Sequence, residues 1–267
     1  MSLGVEGPGL HTGVRGAVRF ERHEGPAIVR ACGIDTPITE LRVTGTGRST
    51  TVEDPSGVVR VVTVEHVLAA LGGMGIHAGV ALIVEGTEVP LADGGARRYV
   101  DLLRALGVAS SPAPLRVVRA GVLEHGASRY ELEPAGAGVT LEVSVDFDDA
   151  RLAKDARWTG DPDDFRDRIA VARTFGFEHE VNDLLERGLA SHVTPESVVV
   201  IGEGRVLSAG APFTADEPVR HKLLDLVGDL TLYGGPPRGI LRATRPGHAA
   251  THAIMARALA AGLVVRD

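Results

Sequence analysis

The stretch VRHKLLDLVGDL, residues 219–230, carries two patterns at once. At 100° per residue, Leu223, Leu224, Leu226, Val227 and Leu230 share one side, which predicts a helix with an apolar stripe. His221, Asp225 and Asp229 recur every four residues and form a narrow polar stripe on the other side. Histidine and aspartate at i and i+4 can reach one metal ion together, but the same spacing suits an ordinary solvated face. The rest of the chain has to decide between them.

TVEHVLAALGGMG (63–75) predicts a second helix, with Val64, Val67, Leu68 and Leu71 on its apolar face. Glu65 and His66 lie on the other side, where Ala69, Gly72 and Gly73 supply almost no bulk. A solvated face would more commonly carry Lys, Glu or Arg, so the bare side predicts an opening for a ligand. His66 offers a metal ligand, and Glu65 a carboxylate able to act as a general base toward water. RPGHAATHA (245–253) adds His248 and His252 at i and i+4, a further possible metal pair. His248 falls in the first helical turn, where the helix dipole disfavours imidazolium unless a carboxylate compensates. Asp229 is the candidate partner, and His252 is expected at an exposed polar position.

Three histidines, one glutamate and two aspartates on three helices suggest a catalytic zinc site, which uses three protein ligands and keeps one position open. His66, His221 and Asp225 form a two-nitrogen, one-oxygen set, and that set also binds iron(II).

Composition bounds the rest. The 267 residues carry 28 Lys and Arg against 35 Asp and Glu, a formal charge of −7, which argues against a nucleic-acid binder. A small anion held by a few local cations remains open. The lone Cys32 excludes a disulfide within the chain, and AIVRACGI (27–34) places it in a strand as an expected buried thiol. MSLGVEGPGLHTG lacks the basic start and apolar core of a signal peptide. No apolar run reaches the ~18 residues of a membrane span. The expected compartment is the cytoplasm.

GVASSPAPLR (107–116) reads as a linker between an N-terminal domain, 1–108, and a C-terminal domain, 115–267. Strand and helix patterns mix in both, so the fold class is α+β. A faint repeat links them: His66, Leu68, Leu71 and Gly73 have the spacing of His221, Leu223, Leu226 and Gly228, and a strand follows each helix. Two similar domains packed face to face would bring the two histidines together. Weaker signals remain. GPGLHTG (7–13), with His11, lacks the lysine and spacing of a P-loop and reads as a tight turn. Thr174 in ARTFGF offers a hydroxyl to an oxyanion or is simply a strand residue. Arg129, Arg245 and Lys222 are candidate phosphate cations.

GPGLHTG, TVEHVLAAL, EVPLADGGA, ARTFGF, VRHKLLDLVGDL and PGHAATHA occur in the order and approximate spacing of a known family. Over essentially its whole length the chain resembles the UDP-3-O-acyl-N-acetylglucosamine deacetylases, zinc amidases of the committed step of lipid A synthesis in Gram-negative bacteria. The resemblance implies two α+β domains, each a mainly antiparallel sheet with two helices, whose helices meet around one zinc ion. It implies His66, His221 and Asp225 as zinc ligands and Glu65 as general base. His248, backed by Asp229, matches the general acid or electrostatic stabiliser, and Thr174 the oxyanion contact. Lys222 matches the diphosphate lysine, Phe147 a uracil contact, Arg245 a position usually held by lysine, and Arg129 a nearby basic position. The partner implied is a small-molecule UDP-acyl-sugar, with no nucleic acid and no membrane span, and the chain is expected to act as a monomer.

Three departures stand out: a late start that shortens or removes the first strand, Gly95 where the family has serine, and ASHVTPES (190–197) where a Gly-Gly-Ser loop borders the acyl passage. They leave a related amidase for another acetylated sugar, or a catalytically silent relative, as alternatives.

Overall fold

Val80, Leu82 and Val84 alternate along Ala78–Glu85, and Val18 and Phe20 along Arg15–Pro26, all buried on the side facing the core. In the computed structural model, which describes residues 4–111, 113–181 and 193–267, these strands organise the first of two five-stranded sheets. Its strands are β1 (Gly4–Pro8), β2 (Arg15–Pro26), β3 (Ile28–Ala31), β4 (Ile34–Pro37) and β5 (Ala78–Glu85), in the order β1-β2-β5-β3-β4. Only β5 and β3 run parallel.

The second sheet repeats this plan. It contains β6 (Gly121–His125), β7 (Ser128–Glu133), β8 (Val139–Ser144), β9 (Asp155–Trp158) and β13 (Gly239–Thr244), in the order β6-β7-β13-β8-β9. Again the late central strand is antiparallel to the second and parallel to the third. In each half one helix precedes that strand and one follows it: α1 (Glu65–Gly73) and α2 (Arg97–Leu106) flank β5, while α3 (Glu217–Thr231) and α4 (His248–Ala260) flank β13. The faint repeat in sequence is therefore a repeat of topology. Between β9 and α3 lies a smaller sheet, β10 (Thr174–Phe177), β11 (Val198–Gly202) and β12 (Arg205–Leu207).

One apolar core runs through both halves, from Val18 and Leu82 through Leu68, Leu71, Leu223 and Leu226 to Leu141 and Leu241. All nine residues of α1 are buried, and fourteen of the fifteen in α3; Lys222 alone is half-exposed. The polar stripe of α3 is thus no solvated face.

Two glycines allow the two helices to approach so closely. A Cβ on Gly228 would fall well under 3.0 Å from the carbonyl oxygen of Glu65, and one on Gly72 equally close to Thr231 Oγ1. The Thr231 hydroxyl donates across the contact to the Leu68 carbonyl at 3.1 Å. A Cβ on Gly73 would strike the Phe165 ring. At Gly72 and Gly73 the bare side of α1 is filled by α3 and Phe165, so the missing side chains there serve helix packing and not the ligand opening expected from composition.

Cys32 is also corrected. It is exposed, at φ 52°, in the tight turn joining β3 to β4. GPGLHTG forms a turn between β1 and β2, where the backbone N–H groups of His11 and Thr12 donate to Glu88 at 2.9 Å. Residues 190–192 of the altered loop lie outside the described residues. Gly95 packs against the backbone: a Cβ there would lie 2.5 Å from Ala170 O and 2.9 Å from Ala172 O, so serine does not fit this local geometry.

Candidate active site

The crossing of α1 over α3 sets His66 and His221 edge to face, with ring centroids 5.0 Å apart and an interplanar angle of 87°. Asp225, one turn after His221, places Oδ1 3.4 Å from His221 Nε2 and 3.8 Å from His66 Nε2. The three ligand atoms lie within 4.8 Å of one another, and all three residues are buried. The Nδ1–H of His221 donates to the Ala172 carbonyl at 3.0 Å, which leaves the Nε2 lone pair directed at the cluster. Burial, reinforced by His221, pulls His66 down to about 3, so its ring is neutral. Burial also lowers His221. Burial pushes the Asp225 carboxyl up, but Lys222 and the surrounding histidines outweigh it and hold the group well below the usual carboxylate range. Two neutral imidazoles and one carboxylate, each with a lone pair facing a common point, fit a divalent transition metal.

Beside this cluster sits a second one. Glu65 is buried, and burial raises its carboxyl to about 7. Its Oε2 accepts the Thr50 backbone N–H at 2.9 Å, while Oε1 faces His248 Nε2 at 4.0 Å. The Nδ1–H of His248 donates to Asp229 Oδ2 at 2.8 Å. Burial disfavours the His248 imidazolium, yet Asp229 and Glu65 prevail and raise it to about 10. Asp229 itself stays ionised far below its ordinary value: His248 and His252 override the effect of burial.

Of the other candidates, Lys222 donates to Asp225 Oδ2 at 3.0 Å and lies 5.6 Å from the centre of the Phe175 ring. Phe147 packs edge-on to Phe175 at 5.8 Å, and Phe175 touches the His221 ring at 6.2 Å. Thr174 is a strand residue between Ala172 and Phe175, both of which contact His221. Arg129 and Arg245 sit apart from this group, exposed at one end of the second sheet. Arg129 pairs with Glu124 and Glu131, and Arg245 with Asp146 at 3.6 Å.

Four residues were invisible to sequence reasoning or misplaced by it. Thr50 ties together the two carboxylates of the second cluster: its N–H holds Glu65 and its hydroxyl donates to Asp229 Oδ1 at 2.6 Å. His252, expected on the surface, is only 7 % exposed, because Asp229 draws its Nε2 to 3.3 Å. It belongs to the Asp229 shell and to no metal pair.

Arg173 and Glu217 form a buried ion pair at 2.7 Å. The guanidinium also donates to the carbonyls of Ala209 and Ala211, so the pair ties the Ala172–Thr174 segment to the start of α3. Replacing Arg173 by methionine strands a buried carboxylate and is expected to cost about 3–5 kcal/mol in denaturant unfolding. Adding Glu217→Leu should recover most of that loss; a single variant as stable as wild type would show that the pair holds nothing.

A family model described as LpxC, UDP-3-O-acyl N-acetylglycosamine deacetylase, matches residues 1–261. Relatives named UDP-3-O-acyl-N-acetylglucosamine deacetylase include one from Myxococcus xanthus (strain DK1622), 34% identical over 96% of this chain and 83% of its own. Another, from Anaeromyxobacter dehalogenans (strain 2CP-C), is 35% identical over 95% of this chain and 84% of its own. A third, from Oleidesulfovibrio alaskensis (strain ATCC BAA-1058 / DSM 17464 / G20), is 33% identical over 93% and 83%.

Proposed function

The chain belongs to the UDP-3-O-acyl N-acetylglycosamine deacetylase family, and from that membership we propose how its own residues carry the reaction. The activity is hydrolysis of the N-acetyl group of UDP-3-O-acyl-N-acetylglucosamine, with release of acetate, in lipid A synthesis. The family is metal-dependent, and we assign zinc to His66, His221 and Asp225 on the donor set. A zinc ion there would supply Lewis acidity, polarising the acetamide carbonyl and acidifying water.

The protein residues do the proton work. Glu65 Oε1 accepts a proton from the attacking water, its other oxygen being held by Thr50. His248 stays protonated beside Asp229 and gives its Nε2 proton to the departing amine. Thr174 donates its hydroxyl to the developing oxyanion. Lys222 keeps two of its three donors for the substrate diphosphate, Phe147 and its aromatic neighbours receive the uracil ring, and Arg245 and Arg129 supply outer cations.

The observation that carries this reading is the facing of Glu65 and His248 at 4.0 Å beside three converging ligand atoms. Both halves of the site come from one chain, which supports a monomer divided at 1–108 and 115–267. No helix among the described residues is long and apolar enough to cross a membrane, and the assigned compartment is the cytoplasm.

The test is deacetylation of the UDP-acyl-sugar with metal analysis on the same sample. About one ion per chain is expected, with turnover lost on chelation and restored by zinc. Full turnover after the metal has been stripped would sink the assignment.

A further inference from the structure

Asp229 does more than face His248. Its Oδ1 takes the Thr50 hydroxyl at 2.6 Å and approaches His252 Nε2 at 3.3 Å, while Oδ2 holds His248 Nδ1 at 2.8 Å. Because Asp229 is a carboxylate, His252 must carry its proton on Nε2 to interact favourably. Nδ1 is then a lone pair, and the Tyr233 hydroxyl lies 3.1 Å from it and 3.3 Å from the His252 carbonyl, a donor shared between the two. Burial raises the Tyr233 phenol to about 12, so the donor proton is kept. The chain of contacts thus runs Tyr233, His252, Asp229, His248, and the reaction as described above uses only the last two.

We propose that His252, with its Nε2–H turned to Asp229 and its Nδ1 facing Tyr233, is a positioning residue for His248, acting through the second oxygen of Asp229. Three donors share one carboxylate. Removing the imidazole donor leaves more negative charge for His248, which then holds its proton more tightly and is a poorer acid. It also frees Asp229 to turn away from the Oδ2 geometry that aims His248 at Glu65. His248 is faced by Asp229, Asp225 and His221 from α3 and by Glu65 and His66 from α1, whereas His252, on the same helix as His248, reaches it only through Asp229. His252 and Tyr233 line a cavity of about 510 Å³, with Arg42 and Arg266 on its walls.

The inference rests on the deacetylase reading, and its test separates the two. In the metal-loaded enzyme, His252→Leu is expected to lower kcat about tenfold with KM unchanged. It should also move the downfield proton resonance of the His248 Nδ1–H further downfield, since Asp229 becomes the stronger acceptor. His252→Gln, which keeps an N–H donor, should return both to within about twofold of wild type. Tyr233→Phe should shift both in the same direction by less, and it serves if His252→Leu does not fold. A folded His252→Leu protein with an unmoved His248 resonance overturns the proposal, as does a loss confined to KM. The resonance is read without turnover, so an inactive wild-type enzyme would overturn the deacetylase reading instead.

Discussion

Glu65→Gln is expected to lower kcat by about 10²–10⁴-fold while metal content stays at the wild-type level. The amide keeps the size of the side chain and an oxygen for the Thr50 N–H, but it cannot take a proton. Its burial is cheaper than that of a carboxylate, so the melting temperature should hold or rise. The wild-type group adds a pH signature. Burial raises Glu65 to about 7, so the base is protonated and lost as pH falls through that region. A bound cation next to it draws the limb lower, and stripping the metal should therefore return the carboxyl titration toward 7. Turnover undiminished in a metal-replete Glu65→Gln enzyme would remove Glu65 from the chemistry and leave His248 as the sole proton carrier.

How far the chain could be read in advance depended on the distance over which each contact acts. Periods of 3.6 are local, so α1, α3 and the start of α4 were legible from TVEHVLAALGGMG, VRHKLLDLVGDL and RPGHAATHA. The i, i+4 spacing of His221 and Asp225 is likewise local, and the repeat supplied the partner His66. Thr50 is not legible in this way, because it meets Asp229 across 179 residues and nothing in its own surroundings marks it. Arg173 and Glu217, 44 residues apart, escape for the same reason. His252 was misread because a lone polar residue on a short-turned helix looks solvated until a buried carboxylate is known to face it. Cys32 was misread because Cys-Gly after a short strand is turn chemistry, and the apolar run before it suggested a longer strand. Periodicity also cannot say what fills a missing side chain. Gly72 and Gly73 suggested a ligand opening, whereas a second helix and a phenylalanine occupy it. The role of Phe147 came only from family likeness, those of Thr174, Arg129 and Arg245 rested on residue type alone, and the two arginines are engaged by surface carboxylates.

Gly228→Val is expected to damage fold and site together. Even a Cβ at this position would fall well under 3.0 Å from the Glu65 carbonyl oxygen, and that atom is helix backbone, unable to swing aside. The helices must separate or α3 must rotate, and overpacking of this kind typically costs about 1–3 kcal/mol and occasionally more. The same displacement carries Glu65 and His66 away from His221 and Asp225, whose ligand atoms now lie within 4.8 Å. Metal affinity should therefore fall further than stability alone explains, and Gly228→Ala should show the same ordering to a smaller degree. Denaturant unfolding of the metal-free protein reads the first effect, and zinc titration against a competing chelator reads the second. A Gly228→Val protein as stable as wild type and binding zinc equally well would mean that the α1–α3 contact does not set the spacing of the site. If both quantities drop, with affinity leading, the glycine in LVGDL is what lets two repeated helices share one metal centre.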